Sequence, residues 1–128
     1  MQHSDSRNSG GLSPRREHTA KKLILANLSK NISIAELAQA CALSRSHFSR
    51  AFKSSTGESP TDWIRKQRIE KAKKLIVGSD LSFAQISKEC GFCDPAHFSR
   101  VFARSVGVSP MTWRNRQCQR RAKTRLKR

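Results

Sequence analysis

The chain has 128 residues and a strongly basic composition, with 26 Lys and Arg against 9 Asp and Glu, a formal net charge of +17 and a sequence pI of about 11.1. This length allows one domain or two very small ones and excludes most multidomain enzymes, while the charge favours a polyanionic partner. The longest apolar runs, such as Leu23 to Ala26, are far shorter than the roughly 20 residues of a membrane span. The N-terminus lacks an apolar signal-peptide core, which predicts a reducing cytoplasm and free thiols.

The first predicted element is a helix over about residues 14 to 29. Ala20, Ile24 and Leu28 lie at helical spacing and give this helix one apolar stripe. The Ser-rich segment before it, residues 1 to 14, is predicted to be a disordered arm. We expect the helix to pack on the structural unit that follows.

A helix, a tight turn and a second helix are predicted within residues 32 to 57. A Ser-x-x-Glu capping box begins at Ser33, and Ser44 is expected to cap the second helix. In that second helix Phe48 and Phe52 lie four residues apart and form a buried stripe. Helical spacing then leaves four polar side chains toward solvent: Ser46, Ser49, Arg50 and Lys53.

A long helix is predicted next, from Pro60 to a stop at Gly78. Ser59 and Pro60 supply its N-cap and its first helical residue. At about 1.5 Å per residue the helix spans a little under 30 Å. We expect it to join two structural units.

The second half of the chain repeats the first. Residues 81 to 92 align with residues 32 to 43 at an offset of 49, and residues 97 to 117 align with residues 47 to 67 at an offset of 50, with 11 identities in 21 positions. A solenoid needs about three or more repeats to bury its faces. Two copies therefore predict a pair of subdomains.

The repeated unit has the same helix signals as the first. Ser82 begins a capping box, and Asp94 followed by Pro95 supplies the cap and the first residue of the next helix. Phe98 and Phe102 form the buried stripe, and four residues are left toward solvent: Ala96, Ser99, Arg100 and Arg104. Since no strand pattern occurs, the predicted fold is all-α, with two helix-turn-helix subdomains joined by a long linker helix and about seven helices in total.

The predicted organisation has four parts. After the arm, a first helix-turn-helix subdomain with the linker helix covers residues 15 to 77, a second subdomain covers 78 to 118, and a basic tail covers 119 to 128. Residues 114 to 128 carry eight Lys and Arg and no acid, almost half of the net charge. Two interpretations of this segment stay open, a solvated and frayed helix end or a phosphate-binding segment.

Two helix-turn-helix units with basic exposed faces describe a DNA-binding protein. The stretch ECGFCDPAHFSRVFARSVGVSPMTWRNRQ at residues 89 to 117 closely resembles the signature of AraC/XylS-type transcription regulators, and residues 15 to 118 resemble the two-unit DNA-binding domain of that family. The resemblance is to regulators of the stand-alone type. It is carried mainly by Gly91, Phe92, His97, Phe98, Ser99, Arg100, Phe102, Gly107, Ser109 and Pro110.

The resemblance implies a monomer that places one recognition helix of each unit in neighbouring major grooves of double-stranded DNA. It further implies an activator that contacts RNA polymerase in the bacterial nucleoid and needs no cofactor. By position, the base-facing residues would be Arg45, Ser46, Ser49 and Arg50 in the first unit, and Pro95, Ala96, His97, Ser99 and Arg100 in the second. Arg50 and Arg100 are the strongest candidates, because Arg can bind guanine O6 and N7 through two hydrogen bonds.

Other interpretations compete with this one. Cys90, Cys93 and His97 have the spacing of half a zinc site and would make a metal or redox sensor, but Cys90 corresponds in the repeat to Cys41 on an apolar helix face, so no metal is predicted. A nucleic-acid binder driven by charge alone is the second alternative. No catalytic residues are predicted, because neither a phosphate loop nor a nucleophile with an assembled base occurs.

Three further expectations concern side chains and chain ends. Trp63 and Trp113 are expected to anchor the two cores. His47 and His97 share one repeat position beside the Phe stripe, which favours packing or a place at the rim of the core, with contact to phosphate or base as the alternative. The initial Met and the Ser-rich start favour a complete, stand-alone regulator over the excised part of a longer protein.

Overall fold

A computed structural model describes residues 11 to 126, with side chains as far as residue 121. Over this range the prediction of an all-α fold is confirmed, with seven helices and no strand. The helices are α1 (Pro14–Ala26), α2 (Ile34–Ala40), α3 (Arg45–Thr56), α4 (Pro60–Gly78), α5 (Phe83–Glu89), α6 (Pro95–Val106) and α7 (Pro110–Leu126). None of these helices is both long and apolar enough to cross a membrane.

Short polar side chains begin all seven helices that the structure describes. In each case the side chain of the residue before the helix accepts a hydrogen bond from the backbone N–H three residues further on, which satisfies a donor that the helix itself leaves without a partner. These residues are Ser13, Ser33, Ser44, Ser59, Ser82, Asp94 and Ser109. The capping box is complete at Ser82, where Gln85 Oε1 also accepts from the Ser82 N–H at 2.9 Å. At Ser33 the structure shows the serine half of the box.

The chain divides into two compact units between Gln67 and Arg68, inside α4. The first unit has its own hydrophobic core, formed by Leu12, Ala20, Ile24, Leu28, Leu37, Ala38, Cys41, Phe48, Ala51, Phe52 and Ile64. Trp63 packs on this core with its ring edge-on to Phe52, at 5.8 Å between ring centroids. Burial of the Phe48 and Phe52 rings fixes which face of α3 points inward.

The second unit repeats this arrangement around Ile69, Ala72, Ile76, Ile86, Cys90, Phe92, Phe98 and Phe102. Trp113 lies edge-on to Phe102 at 5.9 Å, as Trp63 does to Phe52. The predicted boundary lay at the end of α4, after residue 77. The division falls ten residues earlier because the second half of α4 supplies apolar residues to the second core while Ile64 belongs to the first.

The N-terminal arm was predicted to include residues 1 to 14. Residues 1 to 10 lie outside the described part of the chain. Leu12, by contrast, is only 7% exposed, and its backbone N–H donates a hydrogen bond to Ser55 Oγ at 2.6 Å. This contact fixes the chain before Ser13 caps α1, so Leu12 and Ser13 are held by the fold and are not part of a disordered arm.

Two helix ends also differ from the prediction. The helix predicted as far as residue 29 ends at Ala26, where Asn27 forms the C-cap and its N–H bonds to Ile24 O. At the other end of the chain, the segment predicted as a basic tail from residue 119 begins as a continuation of α7, which ends at Leu126. Neither Gly nor Pro follows Pro110 in the sequence, so no residue there breaks the helix.

Candidate nucleic-acid interface

The exposed face of α3 carries the polar residues that the sequence predicted for the first unit. The opposite face is held in the core, where Phe48 and Phe52 are fully buried and Ala51 is 1% exposed. Four of the predicted site residues on α3 are exposed: Arg45, Ser46, Arg50 and Lys53. The fifth, Ser49, is half-buried. The helix therefore presents three cationic side chains and two hydroxyl groups from a fixed backbone.

Four of these residues also line one open hollow. It has a volume of about 600 Å³ and is bounded by Arg45, Ser46, Ser49 and Arg50 of α3 together with Ile34 of α2. Arg50 Nε donates a hydrogen bond to Ser46 O at 3.4 Å, which directs the guanidinium group back toward the start of α3. The N-terminal end of a helix carries a partial positive charge, so the hollow favours an anionic or electron-rich group.

The corresponding helix of the second unit, α6, is less rich in hydrogen-bond donors. Its exposed site residues are Pro95, Ala96, Ser99, Arg100 and Arg104. At its start the carboxylate of Asp94 caps the helix at 2.7 Å from the His97 N–H, where α3 has the neutral Ser44. Pro95 and Ala96 offer no side-chain donor. The donors of α6 therefore come from Ser99, Arg100 and Arg104.

The two histidines at the repeated position have different surroundings. His97 is half-buried, its ring lies 5.6 Å from that of Phe92, and its buried Nδ1 has no hydrogen-bond partner. His47 is exposed in the first turn of α3. In the first unit the place of Phe92 is taken by the smaller Leu43, which is the sequence signal for this difference. The exposure of His47 thus favours the alternative that the sequence leaves open for this position, contact with a ligand.

The cysteines give no support to a metal site in the described part of the chain. Burial raises the pKa of the Cys90 thiol to about 11 and also raises the pKa of Cys41, so both thiols stay protonated at neutral pH. Cys93 and Cys118 are exposed. Among residues 11 to 126, no group of three or more His, Cys, Asp and Glu is arranged to hold a metal ion. Burial also lowers the pKa of Arg68, against the opposing effect of the Cys90 and Cys93 thiols.

Comparison with known proteins adds an independent finding. A family model described as a helix-turn-helix domain matches residues 37 to 116. The fold is similar to the DNA-binding domain of AdpA, a global transcriptional factor crystallised with a target DNA, with a TM-score of 0.79 and 31% identity over 84% of this chain and 96% of that one. It is also similar to an AraC-type regulator from Chromobacterium violaceum, with a TM-score of 0.76 and 27% identity over 82% of this chain and 94% of that one.

Curated relatives match over a smaller part of their own length. The HTH-type transcriptional activator Btr of Bacillus subtilis is 36% identical over 74 residues, which cover 58% of this chain and 14% of that protein. The xylose operon regulatory protein of Escherichia coli is 33% identical over 63 residues, which cover 49% of this chain and 16% of that protein. The chain thus corresponds to a small part of each of these two regulators.

Proposed function

The chain belongs to the AraC/XylS family of helix-turn-helix transcription regulators, and from this premise we propose that it binds double-stranded DNA at specific sequences and regulates transcription there. The family consists of DNA-binding transcription factors and not of enzymes. The observation that carries the proposal is the exposed face of α3, where Arg45, Ser46, Ser49 and Arg50 surround one hollow at the start of a helix whose other face is buried.

In this proposal α3 and α6 each enter a major groove, and the grooves are neighbours. The length of α4, 19 residues or about 30 Å at about 1.5 Å per residue, is close to one turn of B-DNA and supports this spacing. Because the two units lie in one chain and are not identical, a monomer is sufficient to bind an asymmetric site. Symmetric operators, by contrast, are typical of dimeric helix-turn-helix proteins.

The proposed roles of the site residues follow from their chemistry. Arg50 and Arg100 each bind a guanine edge through two hydrogen bonds, and the exposed Arg45, Lys53 and Arg104 bind phosphates. The remaining site residues make weaker contacts: single hydrogen bonds from Ser46, Ser49 and Ser99, a thymine-methyl contact from Ala96, and packing or one polar contact from Pro95 and His97. Since α6 has fewer donors, DNA shape contributes more to recognition of its half of the site.

The proposed consequence of binding is activation of transcription through contact with RNA polymerase. The support is the relative Btr, which is described as a transcriptional activator and is 36% identical over the aligned region. A protein that acts on the chromosome in this way works in the bacterial nucleoid, inside the cytoplasm. No cofactor enters the proposal, because all the contacts described are made by side chains of this chain.

The test is selection of bound sequences from random duplex DNA at near-physiological salt, followed by titration of the selected duplex against a scrambled one. We expect a motif of about 20 base pairs with two halves about 10 to 11 base pairs apart. The second candidate function, binding driven by charge alone, is favoured by the net charge of +17. Equal and steeply salt-dependent binding to every duplex, with no enriched motif, would establish that alternative and exclude the proposal.

A further inference from the structure

We propose that Ile34 of α2 is a further specificity-determining residue, which contacts the C5-methyl group of a thymine beside the base that Arg50 binds. The inference rests on the proposed function and deepens it, because it assigns a base contact to a residue outside α3 and α6. Its starting point is the hollow on the first unit. Four of the five residues that line this hollow belong to α3, and the fifth is Ile34.

The fold holds Ile34 in place at the edge of the hollow. Ile34 is the first residue of α2 and is half-buried, with its side chain packed on the first hydrophobic core. The residue before it, Ser33, caps the helix, and its Oγ accepts a hydrogen bond from the Glu36 N–H at 3.3 Å. Because Ile34 is anchored in this way, the apolar surface that it presents to the hollow can bind a ligand at little cost in conformational entropy.

The wall of the hollow combines this apolar surface with hydrogen-bonding groups from Arg45, Ser46, Ser49 and Arg50. Among the groups that base pairs present in the major groove, the C5-methyl of thymine is the apolar one. A donor or acceptor placed against Ile34 would lose its hydrogen bonds to water without gaining a partner. The hollow therefore favours thymine at one position, next to the base that Arg50 binds.

The repeat offers an internal comparison. Ile34 aligns with Phe83 at the start of α5. The ring of Phe83 has a partner within its own unit, because the Arg114 guanidinium group lies 4.2 Å from the ring centroid. In the first unit the place of Arg114 is taken by Ile64, which is buried in the core. Ile34 is thus not covered by an arginine of this kind, and we expect the thymine contact only in the half of the DNA site that α3 binds.

The experiment measures how much binding depends on one methyl group. The full chain is titrated with the duplex obtained by sequence selection, and the α3 half of that duplex is the one whose preference changes in Arg50→Ala. Each thymine of this half is replaced in turn by deoxyuridine, which pairs in the same way and lacks only the C5-methyl group. We expect the Kd to rise about fourfold at one thymine, which corresponds to the ~0.8 kcal/mol of one buried methylene group.

The same titrations with Ile34→Ala form a double-mutant cycle between the side chain and the methyl group. We expect the effect of replacing that thymine to fall from about fourfold to less than about 1.5-fold, because alanine lacks the carbon atoms that contact the methyl group. The effects of the other replacements stay the same. Ile34→Val preserves more of the core packing and should leave an effect of about twofold.

Ile32→Ala is the matched control. Ile32 is also half-buried and packs on the same core, but it lines a different hollow, together with Leu23 of α1. This variant removes the same side-chain atoms and should keep the fourfold effect of the methyl group. Circular dichroism and urea unfolding measure whether each variant is folded.

The outcomes separate this inference from the proposed function. Absence of any enriched motif for the wild-type chain would exclude the proposed function and this inference with it. Where a motif is enriched, an equal effect of thymine replacement in the wild type and in Ile34→Ala would overturn the role of Ile34 alone, and the proposed function would stand.

Three further results would overturn the role of Ile34 in the same way. The first is that no thymine in the α3 half shows an effect of its methyl group. The second is that Ile34→Ala weakens binding to every duplex alike, which would indicate packing on the sugar-phosphate backbone. The third is that Ile32→Ala also abolishes the effect of the methyl group, because the effect would then depend on the stability of the core.

Discussion

At the scale of single residues, the turn between the two helices of each unit needs one left-handed backbone conformation. In the second unit Gly91 provides it, with φ of +80°. In the first unit the corresponding residue is Ala42, the one non-glycine residue between positions 11 and 126 with positive φ, at +59°. A side chain with a Cβ in this conformation costs about 1 to 2 kcal/mol. The second unit therefore shows that glycine in place of Ala42 would relieve the strain.

We expect Ala42→Gly to stabilise the protein by about 0.5 to 1 kcal/mol. The gain is less than the full strain energy because glycine also increases the entropy of the unfolded chain. The measurement is the free energy of unfolding in urea. The reciprocal variant Gly91→Ala is the control and should destabilise the protein by about 1 kcal/mol. If both substitutions changed stability in the same direction, the assignment of strain to the left-handed position would be wrong.

The histidines show why residue identity alone does not predict a site. The repeat aligns His47 with His97, and the repeat alone would predict the same surroundings for both. The structure separates them because the ring of Phe92 covers His97, whereas His47 is exposed. Which side chain is covered depends on packing by residues from a different helix. That information is distributed over the fold and is not present in the local pattern.

At the scale of elements, the starts of helices could be predicted and some ends could not. A start is determined by one short polar side chain such as Ser44 or Asp94, and the structure shows the expected hydrogen bonds. The end of α1 carries no comparable signal. Leu28 continues the apolar stripe and is buried, although the helix has already ended at Ala26. The helical spacing of Leu28 therefore predicts a longer helix, whereas in the structure Leu28 reaches the core from the turn that follows α1.

The caps of α3 and α6 give a test at this scale. We expect Ser44→Ala and Asp94→Ala each to lower the free energy of unfolding by about 1 kcal/mol, because the N–H groups of His47 and His97 lose their acceptors. Asp94→Ser supplies another acceptor and should keep stability within a few tenths of a kcal/mol. Chemical denaturation measures all three variants. Equal losses for Asp94→Ser and Asp94→Ala would show that Asp94 acts through its charge and not as a cap.

At the scale of the whole molecule, the repeat predicted two units, but the role of α4 was only partly visible. Its length and its Ser-Pro start identified a joining helix. Its apolar residues are shared, since Ile64 packs in the first core and Ile69, Ala72 and Ile76 pack in the second. The sequence shows an apolar face at Ile69, Ala72, Leu75 and Ile76, but it does not show which of the two cores this face joins. The boundary inside α4 therefore emerged only from the packing.

The last prediction concerns how the two units divide the recognition of DNA. We expect Arg50→Ala and Arg100→Ala each to relax preference at one base-pair position, with the two positions about one helical turn, or 10 to 11 base pairs, apart. Each loss should be about 1 to 3 kcal/mol of discrimination, or roughly 5-fold to 150-fold, because a bidentate contact to guanine is removed. The measurement is repetition of the sequence selection with each variant.

Lys53→Ala is the control for charge in the first unit, since Lys53 is exposed on α3 three residues after Arg50. It should weaken binding to all duplexes alike and leave the selected motif unchanged, as expected for a phosphate contact. If both arginine variants lost affinity with no change of motif, α3 and α6 would not be reading bases through these side chains. Recognition would then depend on DNA shape, because a protein can prefer sequences with a narrow groove or a deformable duplex without contacting their bases.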